Sequence, residues 1–215
     1  MTSEMSSSSA MLLALGAFHG INPGMGWLFA VALGMQERRR AAVLTALLPL
    51  GLGHALAVAA AVGLALAMGT VIPMAWLRWP VAGLLIALGA LRVFRHTHPR
   101  WASMRVSSRR LMLWSFLMAT AHGAGLMVVP VFMGMGAATA GEQVCHGMAG
   151  AASGAGPAML ATILHAIGYL AVTAVVAIAV FEKLGVGLLR TAWVNLDLVW
   201  AAALVLTGAL TIVVR

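Results

Sequence analysis

Long apolar stretches separated by short basic loops dominate the chain. Residues 41–77, 111–141 and 143–181 contain no Asp, Glu, Lys or Arg. Each run exceeds the roughly 20 apolar residues that cross a hydrocarbon core. A run of that kind is too long and too evenly apolar for one face of a soluble helix, so the pattern predicts helices that cross a bilayer. Six spans are expected, at about 11–35, 42–68, 73–94, 111–136, 158–181 and 192–214. The third is the least regular, with Pro73 and Pro80 near its start and Arg78 and Arg92 near its ends. It requires the arginines to reach toward the interfaces, and the alternative is a re-entrant segment.

Composition agrees with that pattern. Of 215 residues, 62% are hydrophobic and 8% charged, leaving too little polar material to coat a soluble globule. One transmembrane domain over residues 1–215 is expected, with no room for a soluble catalytic or nucleic-acid-binding module. The net charge of +8 would suggest nucleic acid in a soluble protein, but here the basic residues lie in short connections, where membrane topology accounts for them. Eleven of the thirteen follow the first, third and fifth spans: Arg38, Arg39 and Arg40, then Arg92, Arg95, Arg100, Arg105, Arg109 and Arg110, then Lys183 and Arg190. The positive-inside rule makes those loops cytoplasmic and both termini external, in a bacterial-type cytoplasmic membrane. Residues 1–10 are Ser-rich without Lys or Arg, so the first span is expected to be retained.

The chain also repeats. His19-Gly20, His54-Ala55 and Gly89-Ala90-Leu91 recur in the same order as His122-Gly123, His165-Ala166 and Gly208-Ala209-Leu210. Two halves at about 11–94 and 111–214 each hold three spans. An odd number of spans inverts the second half relative to the first, as in many secondary transporters whose sites lie between inverted halves. Chance recurrence of Gly, Ala and His dipeptides is the competing explanation.

Candidate chemistry follows from the histidines. His19, His54, His122 and His165 fall inside expected spans, where ionisable side chains are costly and usually face a bundle interior or cavity. Neutral imidazole ligates Ni, Co, Zn or Cu and titrates near physiological pH, so four such groups suggest a metal or proton site. Four separate histidines bonded to neighbouring helices are the plain alternative. Asn22-Pro23-Gly24-Met25-Gly26 is expected to break the first span, because proline removes a donor and glycine weakens the helix. Freed carbonyls and the Asn22 amide could then contact a cation. Gly123, Gly125 and Pro130 predict a milder break in the fourth span. Secondary candidates are Met25 as a soft ligand, Asp197 as the one acid inside a span, and Cys145 with His146 in an external loop. A single cysteine excludes an intrachain disulfide.

His19-Gly20 followed by Pro23-Gly24-Met25-Gly26, together with Gly53-His54-Ala55, resembles the motif of the nickel and cobalt efflux branch of the lysine exporter superfamily. Met25 stands where that motif has a second histidine, and a long histidine-rich cytoplasmic loop is missing. The resemblance implies six helices in inverted halves and a metal-exporting secondary transporter, and the displacement of protons from imidazole by metal makes protons the expected coupling ion. Amino-acid or small-molecule export is another activity of that superfamily. An intramembrane metalloenzyme with histidine-bound metal is the alternative of a different class, although no HExxH motif is present. An assembly partner of a metalloprotein maturation complex is a third reading. The expected partners are the bilayer, the metal ion and further copies of the same chain, with no nucleic acid.

Overall fold

The structure, a computed structural model, describes residues 2–69, 73–94, 107–140, 152–184 and 196–213. Among these the fold is entirely helical. The helices are α1 (Thr2–Ile21), α2 (Trp27–Glu37), α3 (Arg40–Gly69), α4 (Met74–Phe94), α5 (Ser108–Ala121), α6 (Ala124–Ala140), α7 (Ala152–Ala179) and α8 (Leu196–Val213). A 3-10 turn, Pro23–Met25, joins α1 to α2, and a π turn, Val180–Leu184, continues α7.

Among the described residues, α3 and the continuous helix Gly154–Lys183 are long and apolar enough to cross a membrane. The bent pair α5 and α6 makes a third candidate, and Trp76–Leu91 and Val199–Val213 are shorter apolar helices. The first expected span is therefore two helices, α1 and α2, and the fourth is two helices bent by 61°. The N-terminal residues differ from expectation too, since α1 begins at Thr2 rather than near residue 11.

Apolar side chains cover the outside as well as the core. Leu48 of α3 is 69% exposed and Val175 of α7 is 67% exposed, with Leu52, Leu56, Leu64, Ile163 and Ile167 also outward. An apolar surface of that extent is unfavourable in water and suits a lipid surround. It is compatible with membrane insertion.

Small residues set how closely the helices approach. The main pairings are α1 with α7, α3 with α5 and α4 with α8. Gly16 lies against the His165 carbonyl and the Tyr169 amide, and Gly20 against the Tyr169 carbonyl and the Thr173 amide, so α1 and α7 run the same way. A Cβ at Gly16 or Gly20 would collide with backbone, and these glycines permit the contact. The α4–α8 pair is antiparallel and reciprocal: Gly89 faces the Ala201 carbonyl and Leu204, and Gly208 faces the Ala82 carbonyl and Leu85. Two apolar cores form between these pairs, one around Trp200, Tyr169, Phe132 and Leu85, the other around Trp27, Val43 and Leu50.

Candidate functional site: a buried histidine cluster beside a broken helix

Three of the four candidate histidines come together. His19 on α1, His54 on α3 and His165 on α7 are fully buried, with ring centroids 5.7 Å (His19–His54), 5.0 Å (His19–His165) and 5.3 Å (His54–His165) apart. His122, at the C-terminal end of α5, is also buried but reaches the cluster through an aromatic ring. The Trp200 indole of α8 lies 4.6 Å from the His19 ring and 5.8 Å from the His122 ring.

Local structure dictates which nitrogens are offered. The Nδ1–H of His19 donates to the Leu15 carbonyl at 2.7 Å, and that of His122 donates to the Met118 carbonyl at 2.8 Å. A carbonyl only accepts, so each neutral ring carries its proton on Nδ1 and its lone pair on Nε2. The two first-in-half histidines thus share one tautomer and one bonding pattern. His19 Nε2 and both ring nitrogens of His54 are buried with no hydrogen-bond partner among the described residues, and His165 faces the Leu12 backbone. Each buried, unpartnered polar atom costs about 1–3 kcal/mol, an unusual concentration for a packing core.

Metal geometry is only half met. With nitrogens about 2.1 Å from a tetrahedral ion, ring centroids fall about 5 Å apart, close to the separations here. However, His54 and His165 lie nearly parallel, 8° between planes, so they present faces rather than nitrogens to one another. Among the described residues no three His, Cys, Asp or Glu side chains are disposed as ligands of one ion. Ring rotation would be required for them to converge.

The helix break sits beside this cluster. Asn22 caps the 3-10 turn, its Oδ1 accepting from the Gly24 amide at 2.8 Å. Pro23 begins the turn, and Gly26 ends it at φ 130°, a backbone that L side chains rarely adopt. The carbonyls freed there are used internally: Trp27 Nε1–H donates to Ile21 at 2.8 Å, and the Tyr169 hydroxyl donates to Met25 at 2.6 Å. In this conformation Asn22 Oδ1 and the Ile21 and Met25 carbonyls, expected as cation contacts, bond within the protein and hold the break closed. Met25 is buried in the larger apolar core. The second break, at His122 and Gly123, has Gly123 at φ 72°.

Sequence reasoning missed Tyr169, the chain's single tyrosine. Its ring stacks on His54 at 3.9 Å and 7° while its hydroxyl reaches the break. The signal was present, since His165, Tyr169 and Thr173 form a polar stripe at intervals of four along an otherwise apolar α7, and all three are buried. Ser115, buried and donating to the Leu50 carbonyl at 2.7 Å, was missed as well. Trp200 had no comparable signal. Asp197 lies at the start of α8, and its side chain, like Cys145 and His146, lies outside the described residues.

No protein-family model, curated protein or solved structure matches this chain.

Proposed function

We propose that the chain is a secondary transporter of the cytoplasmic membrane that moves a transition-metal cation, as an exporter, through the pocket of His19, His54 and His165. The observation that carries this reading is the buried cluster of three imidazoles contributed by α1, α3 and α7, in which His19 Nε2 and both ring nitrogens of His54 have no partner among the described residues. Unpartnered donors and acceptors deep in an apolar bundle are retained at a cost in stability, and a passing ion or proton offsets that cost. His122 and Asn22 flank the pocket at the two breaks, and Ni, Co, Zn and Cu are the ions that imidazole suits. Metal must displace protons from imidazole, which makes proton coupling the natural drive.

Six spans in two inverted halves remain the architecture that best fits this role. Broken α1–α2 corresponds to broken α5–α6, α3 to α7, and α4 to α8. Under that correspondence the α1–α7 and α3–α5 pairings exchange, and the reciprocal glycine contacts of Gly89 and Gly208 map onto each other. Arg40, after the first span, pairs with Glu182, after the fifth, at 3.3 Å. That pairing supports placing both loops on one side, as the positive-inside count requires. The motif resemblance to metal exporters of the lysine exporter superfamily points the same way.

A metalloenzyme is less well supported. The acids whose side chains are described, Glu37 and Glu182, are exposed, and the chain has no HExxH motif to set a general base beside histidine ligands. Proteoliposomes containing the purified protein and a metal-sensitive dye test the proposal. Wild type is expected to show pH-gradient-driven movement of Zn2+, Ni2+, Co2+ or Cu+, and His54→Ala with His165→Ala to show none. Unchanged movement in that double variant would reject the site.

A further inference from the structure

Tyr169 touches both parts of the site. One face of its ring stacks on His54, 3.9 Å between centroids and 7° between planes. Its hydroxyl donates to the carbonyl of Met25, the last residue of the 3-10 turn, at 2.6 Å, across 144 residues of sequence. The residue is fully buried, and its own backbone is pressed against Gly20, one turn before the break. The phenol is rigid, with its hydroxyl also meeting the Ser115 and Thr173 side chains, so a tilt of the stacked ring moves the hydroxyl with it. A displacement of the His54 ring tilts the phenol, and a tilt lengthens the bond to Met25.

The second end matters because Met25 precedes Gly26, the positive-φ residue from which α2 starts. Its carbonyl would otherwise be a freed acceptor in an apolar surround. The tyrosine hydroxyl therefore makes one of the bonds that hold the break, beside the Asn22 cap and the Trp27 indole, and losing it exposes an acceptor that must find water or another partner.

We propose that Tyr169 is the positioning residue that couples the state of the histidine cluster to the opening of the α1–α2 break. This rests on the transport reading for its purpose, but the coupling itself is a property of the fold. Turning the His54 ring toward a shared ion requires it to leave its stack on Tyr169. Occupying the pocket then loosens the Met25 bond and frees the break. Coupling is reciprocal, so a loosened break also weakens the preference of His54 for its stacked position.

Hydrogen exchange of the full-length protein in lipid nanodiscs tests this without depending on transport. The amides of residues 25–30 report the break, and those of α4 and α8 serve as the folding control. Tyr169→Phe keeps the stack and loses the hydroxyl, and is expected to speed exchange at the break roughly tenfold with the control unchanged. His54→Ala is expected to speed it about threefold in wild type through loss of the stack, and to have no further effect in the Tyr169→Phe background. Zn2+ at saturating concentration is expected to speed exchange at the break in wild type and not in Tyr169→Phe. Equal exchange at the break in wild type and Tyr169→Phe, or additive effects of the two substitutions, would overturn the coupling. A break that responds to both substitutions but not to Zn2+, in a protein that moves none of the four ions, would retain the coupling and reject the transport reading instead.

Discussion

The chain interrupts a helix two residues past one His-Gly pair and at the other His-Gly pair itself, and it builds the two interruptions differently. After His19 the chain makes a capped 3-10 turn whose freed carbonyls are bonded by Trp27 and by Tyr169 of a distant helix. After His122 it makes a tight turn at Gly123 and bends by 61°, with Leu204 packed over the glycine. The histidine before the first break joins two others, whereas the histidine before the second meets Trp200. A shared His-Gly pair thus accompanies a polar junction built on Asn22-Pro23-Gly24 in one half and a bend at Gly123 in the other. The partner helices differ as well: α7 brings His165 and Tyr169 to the first, Leu204 of α8 covers the second, and the Trp200 indole lies between the two histidines.

The widest separation between the halves is expected in transport. His19→Ala should lower the initial rate of metal movement in proteoliposomes about a hundredfold and His122→Ala about tenfold, the span between a lost ligand and a lost outer partner. Equal losses would mean that both histidines contact the ion and that the asymmetry is confined to the resting state. Next comes backbone strain. Gly26→Ala places a Cβ at φ 130° and against Leu50, and should destabilise the fold by about 3 kcal/mol. Gly123→Ala, at φ 72° and against the end of the Leu204 side chain, should cost about 1–2 kcal/mol in the same detergent-unfolding titration. A reversed order would show that the second break is the more tightly held.

Smaller effects refine the picture. Asn22→Ala removes the cap of the 3-10 turn and should cost about 1 kcal/mol in that titration, while Asn22→Asp should retain most of it. A loss in transport far exceeding the loss in stability would restore Asn22 as a cation contact. The smallest change is expected at the exposed pair linking the two loops. Glu182→Gln should alter stability by less than about 0.5 kcal/mol and fade further in high salt.

Much of the helical content and the core of the site could be read from residue types alone. Charge-free runs locate α3 and α7 because nothing else tolerates so many apolar residues in series, and Pro23 with its glycines marks the first break. The convergence of His19, His54 and His165 followed from the cost of burying imidazole, which argues for a shared interior without saying how the rings turn. Ring orientation was out of reach, since the near-parallel stack of His54 on Tyr169 depends on the α3–α7 spacing. So was the separation of His122, because Trp200 arrives from α8, whose register against the rest is set by glycine contacts that no single helix reveals. The N-terminal turns of α1, residues 2–10, were missed for another reason: serine is only a mild opponent of helix, and attachment to a long apolar segment carries it along.

The reciprocal packing of Gly89 and Gly208 has a mechanical consequence. Under the proposed exchange of halves this contact would map onto itself, store the same energy whichever half leans, and serve as a fulcrum. Rocking would then be concentrated at α1 and α5, where the two breaks differ. A covalent cross-link between α4 and α8 is expected to leave ion movement running, and one between α2 and α7 to stop it.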